Sequence, residues 1–369
     1  MWRTLYSPVS YGDKNALIPT QLGNDKIKWE STVQKDLGLD FSFMRGRLGG
    51  TFGYYHKVTD GTLLNMTPAP SSSYSTVVFN IAKIRNQGLE FDIHGDFIRK
   101  KDFRWTGNLN ISRNVSKVLD INGGPFSDPN DRDAMNLGTS VVKEGEPLGL
   151  LYGRVATGII KTQAQLEAAR EEFSLWTIFD PYLNLGDIAY EYEDGFWKED
   201  VIGHATPDFF GGYTNTINWN RFTLTALFTF SYGNDLIYQK DVSDSGMSSL
   251  ANRGTRVLNH YSEDNTSSNR PRSMWATTYM LSSLNVYDAS YLKLKTLSLS
   301  YNLPESICRK VRIKSASVYG TATNVFTITS YPGPDPEVSD DPTSVIGGGR
   351  DVSTYPTVKS YTFGIRINF

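Results

Sequence analysis

From Tyr361 to Phe369 the chain alternates strictly, with Tyr361, Phe363, Ile365, Ile367 and Phe369 on one side and Thr362, Gly364, Arg366 and Asn368 on the other. A two-residue period predicts a strand with one apolar face. A soluble edge strand seldom exposes an apolar series that runs to its last residue, because such an edge templates aggregation. A strand closing a transmembrane barrel turns that face to lipid instead. The same alternation recurs upstream. It predicts a strand over about Thr32–Met44, with Val33, Leu37, Leu39, Phe41 and Phe43 apolar, a tight turn at Arg45–Gly46, and a second strand over about Arg47–Thr59 carrying Leu48, Phe52 and Tyr54. Leu89, Phe91, Ile93 and Phe97 form a third, and after a turn at Lys100–Asp102, Phe103, Trp105, Gly107, Leu109 and Ile111 form a fourth. Strands five and six, about Pro207–Trp219 and Phe222–Tyr232, meet at Asn220–Arg221. Strands seven and eight are expected over about Tyr287–Leu303 and Val311–Ser330, with a bulge near Thr296 and another near Ser315 where the phase slips.

The connections sort by length. A Ser/Thr/Pro-rich loop is expected over about Asp60–Asn80, a very long connection over Val118–Thr206, another over Gln239–Val286 and a last over Tyr331–Thr354, each separated from the next by a short turn. The second contains Thr162 and Gln165 in capping-box spacing ahead of a helical run to Glu172. Tight turns alternating with long loops are what a membrane barrel requires, with the turns periplasmic and the loops extracellular. A Greek-key sandwich has no reason to sort them. The other reading left open is a soluble all-β carbohydrate-binding or adhesion module.

Composition agrees with many short strands: 39% hydrophobic residues but 13% aromatic, with 32 Gly in 369 residues. No apolar run is long enough for a transmembrane helix, which says nothing against barrel strands. A net charge of -2 gives no electrostatic case for nucleic acid. Met1 to Pro8 has neither the apolar run nor the cleavage site of a secretory signal. Cys308 stands alone, so neither a disulfide nor a zinc site is expected. His56, His94, His204 and His260 lack paired-ligand spacing, and no nucleophile elbow, Walker loop or HExxH occurs, so an enzyme is not expected. No cofactor is expected either.

Six stretches in order carry a family resemblance: KWESTVQKDLGLDF, NQGLEFDI, GEPLGLLYG, YDASYLKLKTLSLSYNLP, TNVFTITSYPGPDPEVS and the closing YPTVKSYTFGIRINF. Together they make the chain resemble the C-terminal part of SusC/RagA-type TonB-linked outer-membrane transporters along nearly its whole length. The resemblance implies an all-β fold, the last nine strands of a 22-stranded plugged transmembrane barrel in the cell outer membrane. Residues 1–31 would be a loop segment of the truncated barrel and 32–369 its C-terminal part, with the plug absent. It implies import of oligomeric nutrients, glycans or peptides, with a SusD-like surface lipoprotein as lid and TonB acting through the missing plug. Tyr361, Phe363, Ile365, Ile367 and Phe369 would then belong to the closing strand by which such barrels are recognised for insertion.

The family often holds Ca²⁺ in an Asp/Asn/Gly-rich loop after the position of Gly186–Asp187; here the stretch reads GDIAYEYEDGFWKEDVIG and the repeated pattern is lost, so no metal is expected. The run Asp128 to Asp133 lacks the sixth-position Gly and distal Glu of a calcium loop. For substrate contact the long connections offer Trp176, Phe179, Tyr182, Trp275 and Tyr279, aromatics able to stack on a sugar ring or pack against a partner. Trp275 and Tyr279 are the favoured pair, because their loop has no helix of its own to fill.

Overall fold

The computed structural model describes residues 2–66, 70–74, 76–121, 133–172, 183–246, 252–273, 279–341, 344 and 346–369. Its main sheet is built from β1 (Leu5–Tyr11), β2 (Lys14–Leu22), β3 (Ser31–Phe43), β4 (Leu48–Met66), β5 (Thr76–Arg99), β6 (Phe103–Asp120), β7 (Phe209–Trp219), β8 (Phe222–Tyr232), β9 (Tyr291–Asn302), β10 (Ser315–Thr329) and β11 (Ser360–Asn368). From β3 onward each strand pairs antiparallel with the next in chain order. This is an all-β, almost wholly antiparallel meander of the nine strands that the alternation predicts. The segment expected as a loop before β3 instead folds β1 and β2 into a hairpin, tied to β5 by the parallel pairs Gln21–Thr76 and Leu22–Val77.

Register puts every apolar series on one face. One row crosses the sheet through Leu39, Phe52, Phe91, Ile111, Gly211, Phe230, Leu292 and Ile328. A second runs through Trp105, Ile217, Leu224, Leu299, Gly320 and Phe363. The opposite face reads Asp40, Thr51, Asp92, Asn110, Gly212, Thr229, Lys293 and Thr327 across the same strands. The apolar face also carries Asn215, whose side-chain oxygen accepts a 2.6 Å hydrogen bond from the Trp105 indole N–H. Aromatic rings crowd both ends of that face: Trp219, Phe222 and Tyr301 near the short turns, with Phe222 and Tyr301 centroids 4.8 Å apart, and Phe209 stacked 5.2 Å from Tyr232 at the other end.

Glycines on one strand are roofed by rings from the next. A Cβ on Gly88 would lie 2.5 Å from the Tyr55 ring, and one on Gly364 2.5 Å from the Tyr319 ring. The ring fills the gap that the missing side chain leaves on an otherwise weak strand position.

The turns differ sharply from the loops. At β3–β4, Met44, Arg45 and Gly46 all adopt positive φ. The β7–β8 link is the pair Asn220–Arg221, with Asn220 at φ 52° and its N–H donating to the Asp102 carbonyl of the neighbouring turn. The long connections hold the helices α1 (Gln163–Glu172) and α2 (Gln239–Gly246), the second in a connection expected to have none, and the β9–β10 link holds a short one, α3 (Glu305–Lys310). Strand ten therefore starts at Ser315 rather than at Val311.

Two other expectations shift. The Asp60–Asn80 stretch is mostly strand, because pairing of β4 with β5 resumes beyond register shifts at Thr59–Leu63. There the Asn80 side chain donates to the Gly61 and Lys28 carbonyls, so the polar sequence is hydrogen-bonded instead of solvated. The bulge near Thr296 occurs, between Leu294 and Thr296. Its counterpart in β10 lies at Asn324–Val325 and not near Ser315, which pairs regularly with Asn368. Asn324 takes up the extra residue at φ 51°.

Buried apolar clusters lie at the long-connection end. One joins Val77, Ala82, Ile84 and Val118 to Met135, Val142 and Leu148. Others centre on Ile159, Ile188, Tyr261 and Tyr279, and on Leu236, Ala289, Tyr331 and Val338. None of these clusters takes a residue from the rows of the apolar face described above, where Leu39 is 61% and Phe363 83% exposed.

Candidate functional site

Three long connections, β6–β7, β8–β9 and β10–β11, interlock above the sheet. A three-stranded sheet unites the latter two through Asp235–Tyr238, Val286–Asp288 and Arg350–Asp351. Ser283 exchanges hydrogen bonds with the Ala156 backbone, linking the first connection to the second. The helix α1 (Gln163–Glu172) forms as the capping box predicts: the Gln165 N–H donates to the Thr162 hydroxyl, and the Gln165 side chain accepts from the Thr162 N–H.

Buried ion pairs fix this layer. The Arg272 guanidinium grips Asp187 with two hydrogen bonds, 2.7 and 3.1 Å, and the Tyr279 hydroxyl donates to the same carboxylate at 3.1 Å. Gly186 makes room for the pair: its φ is +89°, and a Cβ there would meet the Tyr261 ring at 2.4 Å. Burial, and then the Asp187 charge, pushes the Tyr279 hydroxyl well above its usual range, so it stays a donor. Burial likewise raises Tyr190 to about 12.

A second anchor joins sheet to loop. Lys293 on the polar face of β9 is 1% exposed and reaches Asp335 at 3.0 Å and also Glu337. Lys295 pairs with Glu337 at 3.0 Å, the Tyr291 hydroxyl donates to it at 2.9 Å, and Thr357 donates to Asp335. Burial alone would raise both acids. The Thr357 hydroxyl, the Glu337 N–H and Lys293 outweigh it at Asp335, and Lys293, Lys295 and Tyr291 outweigh it at Glu337, so both carboxyls are held below the usual range.

Two recesses open in this layer. One, about 480 Å³, lies beside α1 and is lined by Thr157, Gln165, Tyr190, Glu191, Glu193 and Lys198. The other, about 270 Å³, is lined by Asp241, Arg256, Arg270, Tyr279 and Tyr287. Asp241 accepts from Arg270 at 2.7 Å and from the Tyr287 hydroxyl at 2.6 Å. Both recesses offer paired charges and hydroxyls beside aromatic rings, the chemistry that recognises a polar ligand with some apolar surface. Neither gathers a nucleophile with a base.

Of the residues favoured from sequence, Tyr279 is 6% exposed and belongs to the layer's interior, its hydroxyl shared between Asp187 and the Arg272 carbonyl. Trp275 lies outside the described residues, as do Trp176, Phe179, Tyr182 and the run from Asp128 to Arg132. Beyond Asp187, Glu191 is paired with Lys198 at 3.1 Å, and Asp194–Gly195 make a hairpin turn. Among the described residues no group of three or more His, Cys, Asp or Glu could hold a metal. Tyr361, Phe363, Ile365 and Ile367 all lie on β11 facing out, and Phe369, just past its end, is 89% exposed. Sequence reasoning missed Arg272, Lys293, Asp335 and Glu337. Their partners stand 42 to 85 residues away, so no local spacing announces them.

Comparison with known proteins matches residues 4–226 to the family model "TonB dependent receptor-like, beta-barrel". TonB-dependent receptor P3 of Formosa agariphila is 32% identical over 376 residues, covering 99% of this chain and 37% of that protein. TonB-dependent receptor SusC of Bacteroides thetaiotaomicron is 26% identical, over 94% of this chain and 32% of its own length. The solved structure of the RagAB peptide transporter superposes with a TM-score of 0.77 at 22% identity, covering all of this chain and 38% of that one. The chain thus spans about a third of the length of the curated relatives it matches.

Proposed function

The chain belongs to the TonB-dependent receptor-like β-barrel family, as a SusC/RagA-type member covering the C-terminal barrel region, and from that premise we propose that it forms part of the wall and outer loops of an importer for oligomeric nutrients. The family is one of outer-membrane transporters without catalytic chemistry. One observation carries the reading: a single apolar face continuous from β3 to β11, backed by a mainly polar one. In a bilayer the first meets lipid and the second lines a watery passage. β7 and β8, 11 residues each, match the roughly 9–11 residues that a tilted spanning strand needs. A soluble binding module would have to cover that face, and no described layer lies over it.

Within this reading the nine strands β3–β11 are the last nine of a 22-stranded barrel, residues 1–31 lie ahead of them, the short turns face the periplasm, and the interlocked connections face outward. The loop layer would meet the glycan or peptide and a SusD-like lipoprotein, with TonB acting on a plug outside this sequence. Trp275 would contact ligand, and Tyr279 would hold its loop in place through Asp187. The closing strand with Phe369 would serve insertion. Disrupting the gene in its host tests the import claim. Growth on an oligomeric glycan or peptide mixture should fail while growth on the monomers persists. Undiminished growth on every oligomer would reject it.

A further inference from the structure

The short-turn end of the sheet is strongly basic. Arg45 and Arg47 stand in the first turn, Lys100 and Lys101 in the second and Arg221 in the third, all exposed. In the fourth, α3 and the residues after it add Arg309, Lys310, Arg312 and Lys314, also exposed. Asp102 and Glu305 are the acids in these turns, and Glu305 is engaged by Arg309 at 3.1 Å. No ion pair forms at Arg221, Lys310, Arg312 or Lys314 within the described residues.

An apolar groove of about 530 Å³ opens on the outer face directly above the third and fourth turns. Gly320 and Ala322 form its floor, between a ridge of Leu297 and Leu299 and one of Tyr361 and Phe363. Its lower end is Phe222 and Tyr301, their rings 4.8 Å apart. Arg221 directly precedes that ring pair, its carbonyl accepting from the Asn302 N–H at 2.9 Å. Lys314 stands just ahead of β10, its N–H donating to the Asn368 carbonyl at the end of β11 at 2.8 Å. Ring pair and cations thus stand in the order of a bilayer's acyl boundary and headgroup layer.

We propose that this groove and its basic mouth form a binding site for one anionic phospholipid, with an acyl chain lying over Gly320 and Ala322 and the headgroup phosphate met by Arg221, Arg312 and Lys314. Charge complementarity selects the occupant: unpaired cations at the mouth favour an anionic headgroup over a zwitterionic one, and the groove's volume falls within the ~300–1,000 Å³ of sites that hold small ligands. The site rests on the reading of this face as lipid-exposed.

The test is native mass spectrometry of the protein extracted from outer membranes, delipidated, and re-equilibrated with phosphatidylglycerol or phosphatidylcholine. Retention of phosphatidylglycerol should exceed that of phosphatidylcholine by about tenfold, since each cation near a membrane surface attracts anionic lipid measurably. The triple variant Arg221→Gln, Arg312→Gln, Lys314→Gln, whose positions lie in exposed turns, should lose that preference. Ala322→Leu, which fills the groove, should lower retention of both lipids. Equal retention by wild type and triple variant, no preference between the lipids, or a lipid-free dimer with a second copy seated on the groove would each overturn the site. Protein that fails to insert into vesicles of either lipid would instead overturn the barrel reading.

Discussion

Lys293 shows how one residue can carry the attachment of a loop. It is buried beside two carboxylates, and removing the cation leaves Asp335, whose side chain is 2% exposed, without its charge partner, while Glu337 keeps Lys295. Breaking such a pair costs roughly 3–5 kcal/mol. Lys293→Ala should therefore release the 331–341 segment, read as faster proteolysis or amide exchange there, whereas Lys295→Ala, with a side chain 41% exposed, should cost under about 1 kcal/mol. The same anchor fixes a pH dependence. Asp335 and Glu337 sit below their ordinary values of 3.8 and 4.5 when folded, so their stabilisation is complete above those values and lost as pH falls through the depressed ones. Protection of the segment should hold at pH 5 and collapse only in stronger acid. Loss of protection between pH 6 and 5 would contradict the assignment. The sequence put Lys293 inside an expected strand, Tyr287–Leu303, but gave no sign of its burial, because the loop that covers it returns 42 residues later. Tyr279 was legible as a loop aromatic and illegible as a buried donor for the same reason.

At the scale of elements, alternation alone located all nine strands of the meander, since a period of two is a local property of the chain. Strand ends were less legible. β4 and β5 continue through polar sequence that pairing with a neighbour sustains, and β10 begins late because α3 occupies its expected start. The pairing of glycines with rings was also invisible, as it joins residues on different strands. It makes a sharp prediction on β11. Gly364→Val would drive a Cβ to within 2.5 Å of the Tyr319 ring, so the ring must leave and the β10–β11 pairing weaken. The yield of heat-modifiable protein should fall. Thr362→Val, on the same face without a roofing ring, should leave it unchanged. Phe369 ends the apolar series, and Phe369→Asp or its deletion should lower assembly into the outer membrane; unaltered assembly would remove the insertion role proposed for this strand.

For the whole molecule, the division of labour follows from solvent. The loop end buries charge and aromatic side chains among themselves, as a water-facing layer must, while the outer face of the sheet leaves many of its large apolar side chains exposed. That asymmetry explains a chain modest in aliphatic content yet rich in rings, because every spanning strand devotes half its positions to the watery side. The most direct measurement is the solvent seen by successive residues of β8 in outer membranes. Single cysteines introduced in turn by Thr223→Cys through Phe230→Cys, in a Cys308→Ser background, would be probed with a water-soluble thiol reagent and with a lipid-soluble one. The account predicts strict alternation: positions 223, 225 and 229 react with the water-soluble reagent, and positions 224, 228 and 230 with the lipid-soluble one alone. Equal reaction of both sets with the water-soluble reagent, or protection of 224, 228 and 230 from both reagents as in a protein core, would contradict it.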